Sequence, residues 1–179
     1  MLSTDETVLV LIDVQEKLAN IMFDKNHLLK SIEILIQGAQ VLDLPVLWLE
    51  QNPEGIGKTV QSLSQHLTQQ EPFIKTSFGC GGCKPFMDEL RALQRNQVVL
   101  MGIESHVCVY QSATQLLDND FDVEVVSDAV SSRTEANKII GLEKIAAKGG
   151  EITSVEAVLF ELLQDSNNPR FPSILKLIK

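Results

Sequence analysis

Three residues far apart in the sequence carry the side chains that nucleophilic catalysis needs. Asp13 closes the apolar run "TVLVLIDV" (7–14), Lys75 lies in "EPFIKTSF" (71–78), and Cys108 lies in "GIESHVCVYQSA" (102–113), just past "QVVLM". A free thiol titrates near pH 8.5, so at neutral pH it is mostly protonated and a weak nucleophile. The first turn of a helix, with its unpaired N–H groups and positive dipole end, favours the thiolate, and a nearby ammonium adds to this. A carboxylate opposes the thiolate electrostatically, yet it can take the thiol proton as general base. Asp13, Lys75 and Cys108 thus make chemical sense together as base, charge stabiliser and nucleophile. Each alone has a plainer account. A buried cysteine is more often inert core, an aspartate ending a strand is commonly a cap or turn residue, and a lone lysine is usually a solvated side chain. Their joint placement argues for chemistry; on these residues alone both accounts stand.

Groups this far apart in the chain meet only if a fold gathers them. "TVLVLIDV", "PVLWLE" (45–50) and "QVVLMGI" (97–103) are continuously apolar, as expected of strands covered on both faces of a parallel sheet. "FDVEVVSD" (121–128) reads as a fourth strand, with weaker ones near "EPFIKTSF" and "GEITS" (150–154). Between them lie segments of helical period. In "HLLKSIEILIQGAQVL" Leu28, Ile32, Ile36 and Ala39 share one stripe, and "KPFMDELRALQ" sets Pro85 in its first turn and buries Phe86, Leu90 and Leu93. Ser132 with Glu135, and Thr153 with Glu156, predict capping boxes at the starts of two later helices. Alternating strands and helices give an α/β class with a parallel sheet and right-handed crossovers. Ligands of such sheets sit beyond the carboxyl ends of the strands. The residues expected there are Asp13, Glu50, Gln51, Lys75, Ser77, the stretch from Gly102 to Cys108, and Asp128.

A chain of 179 residues fits one domain, 1–179, with a substantial core. Its net charge of −9 argues against nucleic acid or an anionic membrane as partner, since both call for a basic face. The acidic start "MLSTDETVLVLIDVQ" has too short an apolar run for a signal-peptide core or a membrane span. Three cysteines do not suggest a disulfide framework, so a reduced, cytoplasmic setting is expected. "CGGC" (80–83) has redox or zinc spacing but lacks a second ligand pair, and reads more simply as a glycine-rich turn. His27, His66 and His106 are scattered. "NPEGIGKT" lacks phosphate-loop spacing and no G-x-G-x-x-G occurs, so no nucleotide cofactor is indicated.

With these residues in hand, the sequence resembles the isochorismatase-like family of cysteine hydrolases, in particular its small isochorismatase-domain members. "VLVLIDVQEKL" is similar to the family's first strand, "LEQNPEGIG" to the loop after the second, and "FIKTSF" to the lysine segment. "GIESHVCVYQSA" resembles the nucleophile signature, and "SDAVSSRTEAN" the fifth strand and its turn. The resemblance implies a three-layer α/β/α fold with a six-stranded parallel sheet of order 3-2-1-4-5-6, and Asp13, Lys75 and Cys108 as the catalytic set. It also implies a cis peptide between Ile103 and Glu104, aiming the N–H groups of Glu104 and Cys108 at one point as an oxyanion hole.

The implied reaction is amidase-type acyl transfer to Cys108 followed by hydrolysis of the thioester, with no cofactor. The metal-binding branch of the family carries D-x-H after the second strand. Here that region reads "EQNPEGIG", so no metal is expected. Gln51, Phe78 and Ile103 are the expected walls of a small-molecule pocket. Family members usually assemble as dimers or larger closed oligomers, and the apolar positions of "FPSILKLIK" are candidates for such an interface. Two other functions are carried alongside: a catalytically silent oligomeric scaffold, and a vinyl-ether hydrolase that does not use the cysteine.

Overall fold

The computed structural model describes residues 1–68 and 71–179. Six parallel strands form its sheet: β1 (Thr7–Ile12), β2 (Val46–Gln51), β3 (Phe73–Lys75), β4 (Gln97–Ile103), β5 (Asp122–Ser131) and β6 (Glu151–Thr153). Their order is β3-β2-β1-β4-β5-β6, with β1 central and paired to β2 and β4. The chain therefore winds outward from β1 in one direction and then the other. The reversal lies at β1 and β4, where an open sheet leaves a crevice beyond its carboxyl ends.

Why the central strands are continuously apolar is plain from the core. Leu9 and Leu11 of β1 face one cluster with Val99, Met101 and Ile103 of β4, while Val8, Val10 and Ile12 face the other with Val98 and Leu100. Both faces are covered, so alternation would serve no purpose. On the first face lie α2 (Lys25–Val41), α8 (Val155–Leu163) and α9 (Phe171–Ile178), following the short α1 (Glu16–Ala19). The predicted stripe of α2 is buried, and Gly38 meets Leu159 of α8 so closely that a Cβ there would lie 2.4 Å from a Leu159 methyl. The second face is covered by α5 (Lys84–Ala92), α6 (Tyr110–Leu117) and α7 (Glu135–Ala147). Two further turns, α3 (Pro53–Ile56) and α4 (Gln61–Ser64), follow β2.

Three expectations need correcting. The cap of α7 is Thr134, whose hydroxyl accepts from the Asn137 N–H, and not Ser132. Ser132 is fully buried at the end of β5, and its hydroxyl lies 2.9 Å from His106 Nδ1. Likewise Ser154, not Thr153, caps α8, because Thr153 is still paired to Val126 in the sheet. The C-terminal apolar residues form α9, which docks on the core of its own chain with Ile174 fully buried. Apolar side chains left open to solvent include Ile139 and Ile140 of α7, together with Ile74 and Phe78 near β3. Among the described residues no helix is long and apolar enough to cross a membrane.

Candidate active site

β1 delivers Asp13 at its carboxyl end. The residue adopts a left-handed backbone (φ 51°), a conformation that aspartate tolerates better than most side chains, and its N–H still reaches Leu49 O across the sheet. Beside it, Gly102 of β4 has φ +127°, and a Cβ there would lie 2.1 Å from Ile12 O. Only glycine lets the two strands come this close just before the cysteine turn. From β3 on the far side of β2 comes Lys75. Its ammonium donates to Asp13 Oδ2 at 2.6 Å, Phe78 O at 2.9 Å and Ser77 O at 3.1 Å. All three ammonium protons are thereby used, which fixes the cation in one orientation. Both side chains of this ion pair have 0% exposure.

Cys108 occupies a π-helical turn, Ser105–Val109, which runs directly into α6. The thiol is 6% exposed and lies 3.4 Å from Gln51 Oε1. Gln51 is itself positioned by Gln15, whose Oε1 accepts from the Gln51 N–H at 2.7 Å and whose Nε2 donates to Gln51 O at 3.0 Å. Asp13 Oδ1 is buried and makes no hydrogen bond to the described residues. The Cys108 thiol is close enough to this carboxyl for each group to shift the other's titration.

The electrostatics differ from those read in the sequence. A helix start and a lysine were expected to favour the thiolate. Instead burial, the largest cause, and the Asp13 charge push the Cys108 thiol up to about 12; Lys75 and the Glu104 backbone N–H only partly oppose them. Burial thus favours the neutral thiol at Cys108. Burial also raises the Asp13 carboxyl, against which the Lys75 ammonium pulls downward.

Other residues expected at this edge are placed as follows. The Ile103–Glu104 peptide bond is cis. Phe78 is 53% exposed and contributes its carbonyl to Lys75. Ile103 is corrected as a pocket wall: its side chain is packed with the α2 side of the core and has no surface to offer a ligand. Glu50 is buried and accepts from the Thr59 N–H, and Asp128 accepts from the Val155 N–H at the start of α8. Both serve the fold rather than the crevice. Cys80 and Cys83 are free and buried; burial pushes the Cys80 thiol up to about 12, and its N–H donates to Ser112 Oγ. A recess of about 760 Å³ lined by Leu44, Pro45, His66 and Arg95 lies at the opposite, amino end of β2, away from this chemistry.

Sequence reasoning missed Gln15 and Arg133. Gln15 is two residues past Asp13 in "DVQ", and a buried glutamine after a strand was a signal that the turn needs an internal clamp. Arg133 pairs with Glu104, and only the folded β5–α7 connection shows this.

Comparison with known proteins gives a consistent result. The isochorismatase domain model matches residues 7–157. A secreted isochorismatase effector, Isc1, from Phytophthora sojae is 39% identical, covering 97% of this chain and 84% of that protein. Isochorismatase domain-containing protein 2 of Danio rerio is 34% identical over 99% of this chain and 89% of its own length. Among solved structures, the MAR1 ribonuclease of Caenorhabditis elegans superposes with a TM-score of 0.93 at 34% identity, covering 99% of this chain and 91% of that one.

Proposed function

The chain belongs to the isochorismatase family of hydrolases, and from that premise we propose that it is a cysteine hydrolase cleaving an amide or related C–N bond of a small molecule. One observation carries this reading: the buried Asp13–Lys75 ion pair set beside the Cys108 thiol.

A resting thiol near 12 is no nucleophile by itself, so its proton must leave as the substrate is attacked. Asp13 takes that proton, and the sulfur adds to the carbonyl carbon. Lys75 keeps Asp13 in its accepting form, since an ammonium sealed from water needs an anion against it. The backbone N–H groups of Glu104 and Cys108 hold the developing oxyanion; the influence of the Glu104 N–H on the sulfur supports its being aimed at this place. The C–N bond then breaks, and the proton held by Asp13 goes to the departing amine. Water, with Asp13 as base again, adds to the thioester; the C–S bond breaks and the thiol is restored. Gln51, against the sulfur, and the exposed Phe78 are the side chains proposed to meet the substrate. A thiol with so little surface suits a small one.

The ribonuclease name of the Caenorhabditis elegans neighbour raises RNA as a substrate. A net charge of −9 counts against that reading for this chain, because phosphate neutralisation supplies most nucleic-acid affinity.

The test is a panel of small primary amides followed by intact-mass and peptide analysis. Turnover with ammonia release, an acyl adduct on Cys108, and a loss of at least about a thousandfold in Cys108→Ala are expected. Turnover that survives Cys108→Ala, or adducts confined to Cys80 and Cys83, would sink the proposal.

A further inference from the structure

Two ties run from the nucleophile's own turn to the residues after β5, and the acyl-transfer scheme uses neither. Glu104 Oε1 accepts from the Arg133 backbone N–H at 3.2 Å and from Arg133 Nε at 3.0 Å. His106 Nδ1 lies 2.9 Å from Ser132 Oγ. The far ends of these ties are themselves anchored. Ser131 pairs with Ile103 in the sheet, and its hydroxyl donates to Phe23 O at 2.6 Å, while the Phe23 N–H donates to Ser132 O at 2.8 Å. From outside, α7 closes on the same turn. A Cβ at Gly141 would lie 2.5 Å from the Ser105 carbonyl carbon and 2.7 Å from His106 N. Residues 104–106 are thus held both by the segment that links β5 to α7 and by α7 itself.

Within this grip the Glu104 carboxylate has a distinctive place. Its side chain is 11% exposed, and both of its partners belong to one residue, whose own side chain is 56% exposed. A solvated ion pair that served only the surface would not need its acid drawn inward. Here the acid belongs to the residue that follows the cis peptide bond and opens the turn carrying Cys108.

We propose that Arg133 is a positioning residue for acyl transfer: by fixing the Glu104 carboxylate it holds the Glu104 backbone N–H on the point where the oxyanion forms. The inference rests on Cys108 accepting the acyl group as described above. An oxyanion donor acts over a narrow range of about 2.7–3.1 Å, and a misplacement of about 1 Å can cost a hundredfold in rate.

Two electrophiles applied to the full chain separate this role from general support. With p-nitrophenyl acetate, the thiol proton passes to Asp13, the S–C bond forms, the ester C–O bond breaks and p-nitrophenolate leaves; the path crosses a tetrahedral oxyanion. With iodoacetamide, the thiol proton again passes to Asp13, the S–C bond forms at a saturated carbon and iodide leaves, so no oxyanion arises. Arg133→Ala is expected to slow acetylation of Cys108 at least tenfold while alkylation stays within twofold. Arg133→Lys, which keeps a cation within reach of Glu104, should recover part of the loss. Equal slowing with both reagents, slowing of alkylation alone, or no slowing at all would overturn the proposal. Failure of the underlying reading looks different: neither reagent marks Cys108 in the unsubstituted protein, judged by peptide mass against Cys108→Ala, and the proposal falls with it.

Discussion

Two carboxylates are buried at opposite ends of the sheet, in contrary circumstances. Asp13, at the carboxyl end, has a lysine 2.6 Å away whose remaining protons are satisfied by two backbone carbonyls. Glu124, near the amino end of β5, lines a recess of about 220 Å³ with Asp122 and Glu151, two further acids, and among the described residues no lysine or arginine lines that recess with it. Burial first, then the charges of Glu161 and Glu151, push it up to about 7. Both groups are perturbed and in both a cation opposes the shift, the N-terminal ammonium for Glu124 and Lys75 for Asp13, but only Asp13 holds its cation in a direct ion pair and has a thiol beside it. A displaced pKa alone does not mark a site; convergence with a reaction partner does.

The largest effect should come from breaking the first arrangement. Lys75→Met leaves Asp13 buried without its cation, so the carboxyl is driven further toward its protonated form and ceases to be a base. Turnover of an amide substrate should fall by at least about a hundredfold. Stability at pH 8 should drop by roughly 3–5 kcal/mol, as for a buried charge stripped of its partner. Because a neutral acid is easier to bury, chemical denaturation should show a smaller penalty at pH 5 than at pH 8. A penalty that does not change with pH would mean that Asp13 is not the group left exposed to the loss.

Glu124→Gln should act in the opposite direction and more weakly. A folded-state pKa raised from 4.5 to about 7 means that Glu124 favours the fold only when protonated. That contribution is complete below about pH 4.5 and is lost as pH rises through about 7. The amide has no charge to bury, so the variant should be more stable than the parent by about 1 kcal/mol at pH 8, allowing for partial solvent screening, and nearly equal to it at pH 4.5. Thermal melts at the two pH values check this, and amide turnover should not move.

The smallest effect is expected at an exposed pair. Lys84 and Asp88 lie one helical turn apart on α5, with side chains 83% and 55% exposed. Lys84→Ala should change stability by less than about 0.5 kcal/mol, and the difference should vanish in 1 M salt. A cost approaching that of Lys75→Met would erase the distinction drawn here between a buried pair and a solvated one.

Much of this architecture was legible in the sequence because it is written in local terms. Continuous apolar runs mark β1, β2 and β4, and the stripe through Leu28, Ile32 and Ile36 marks α2, since each period reflects how many sides of an element are covered. Strand ends at Asp13 and near Cys108 followed from the same runs, and the end at Lys75 from the weaker run before it. Less legible was anything that depends on what a polar group meets. Ser132 has the glutamate three residues on that a capping box calls for; β5 runs on to Ser131, so Ser132 is kept inside and Thr134 caps instead. Glu50, Asp128 and Ile103 each stand at the expected edge, yet two of them satisfy backbone N–H groups elsewhere and the third turns into the core.

By itself the sequence determined the order of elements and placed Asp13, Lys75 and Cys108 at one edge of the sheet, because strand and helix periodicity are properties of neighbouring residues. Only the tertiary structure decided the charge state of Cys108, the clamp of Gln15 on Gln51 and the hold of Arg133 on Glu104. These depend on desolvation and on contacts between segments dozens of residues apart, which appear only when the chain is closed around them.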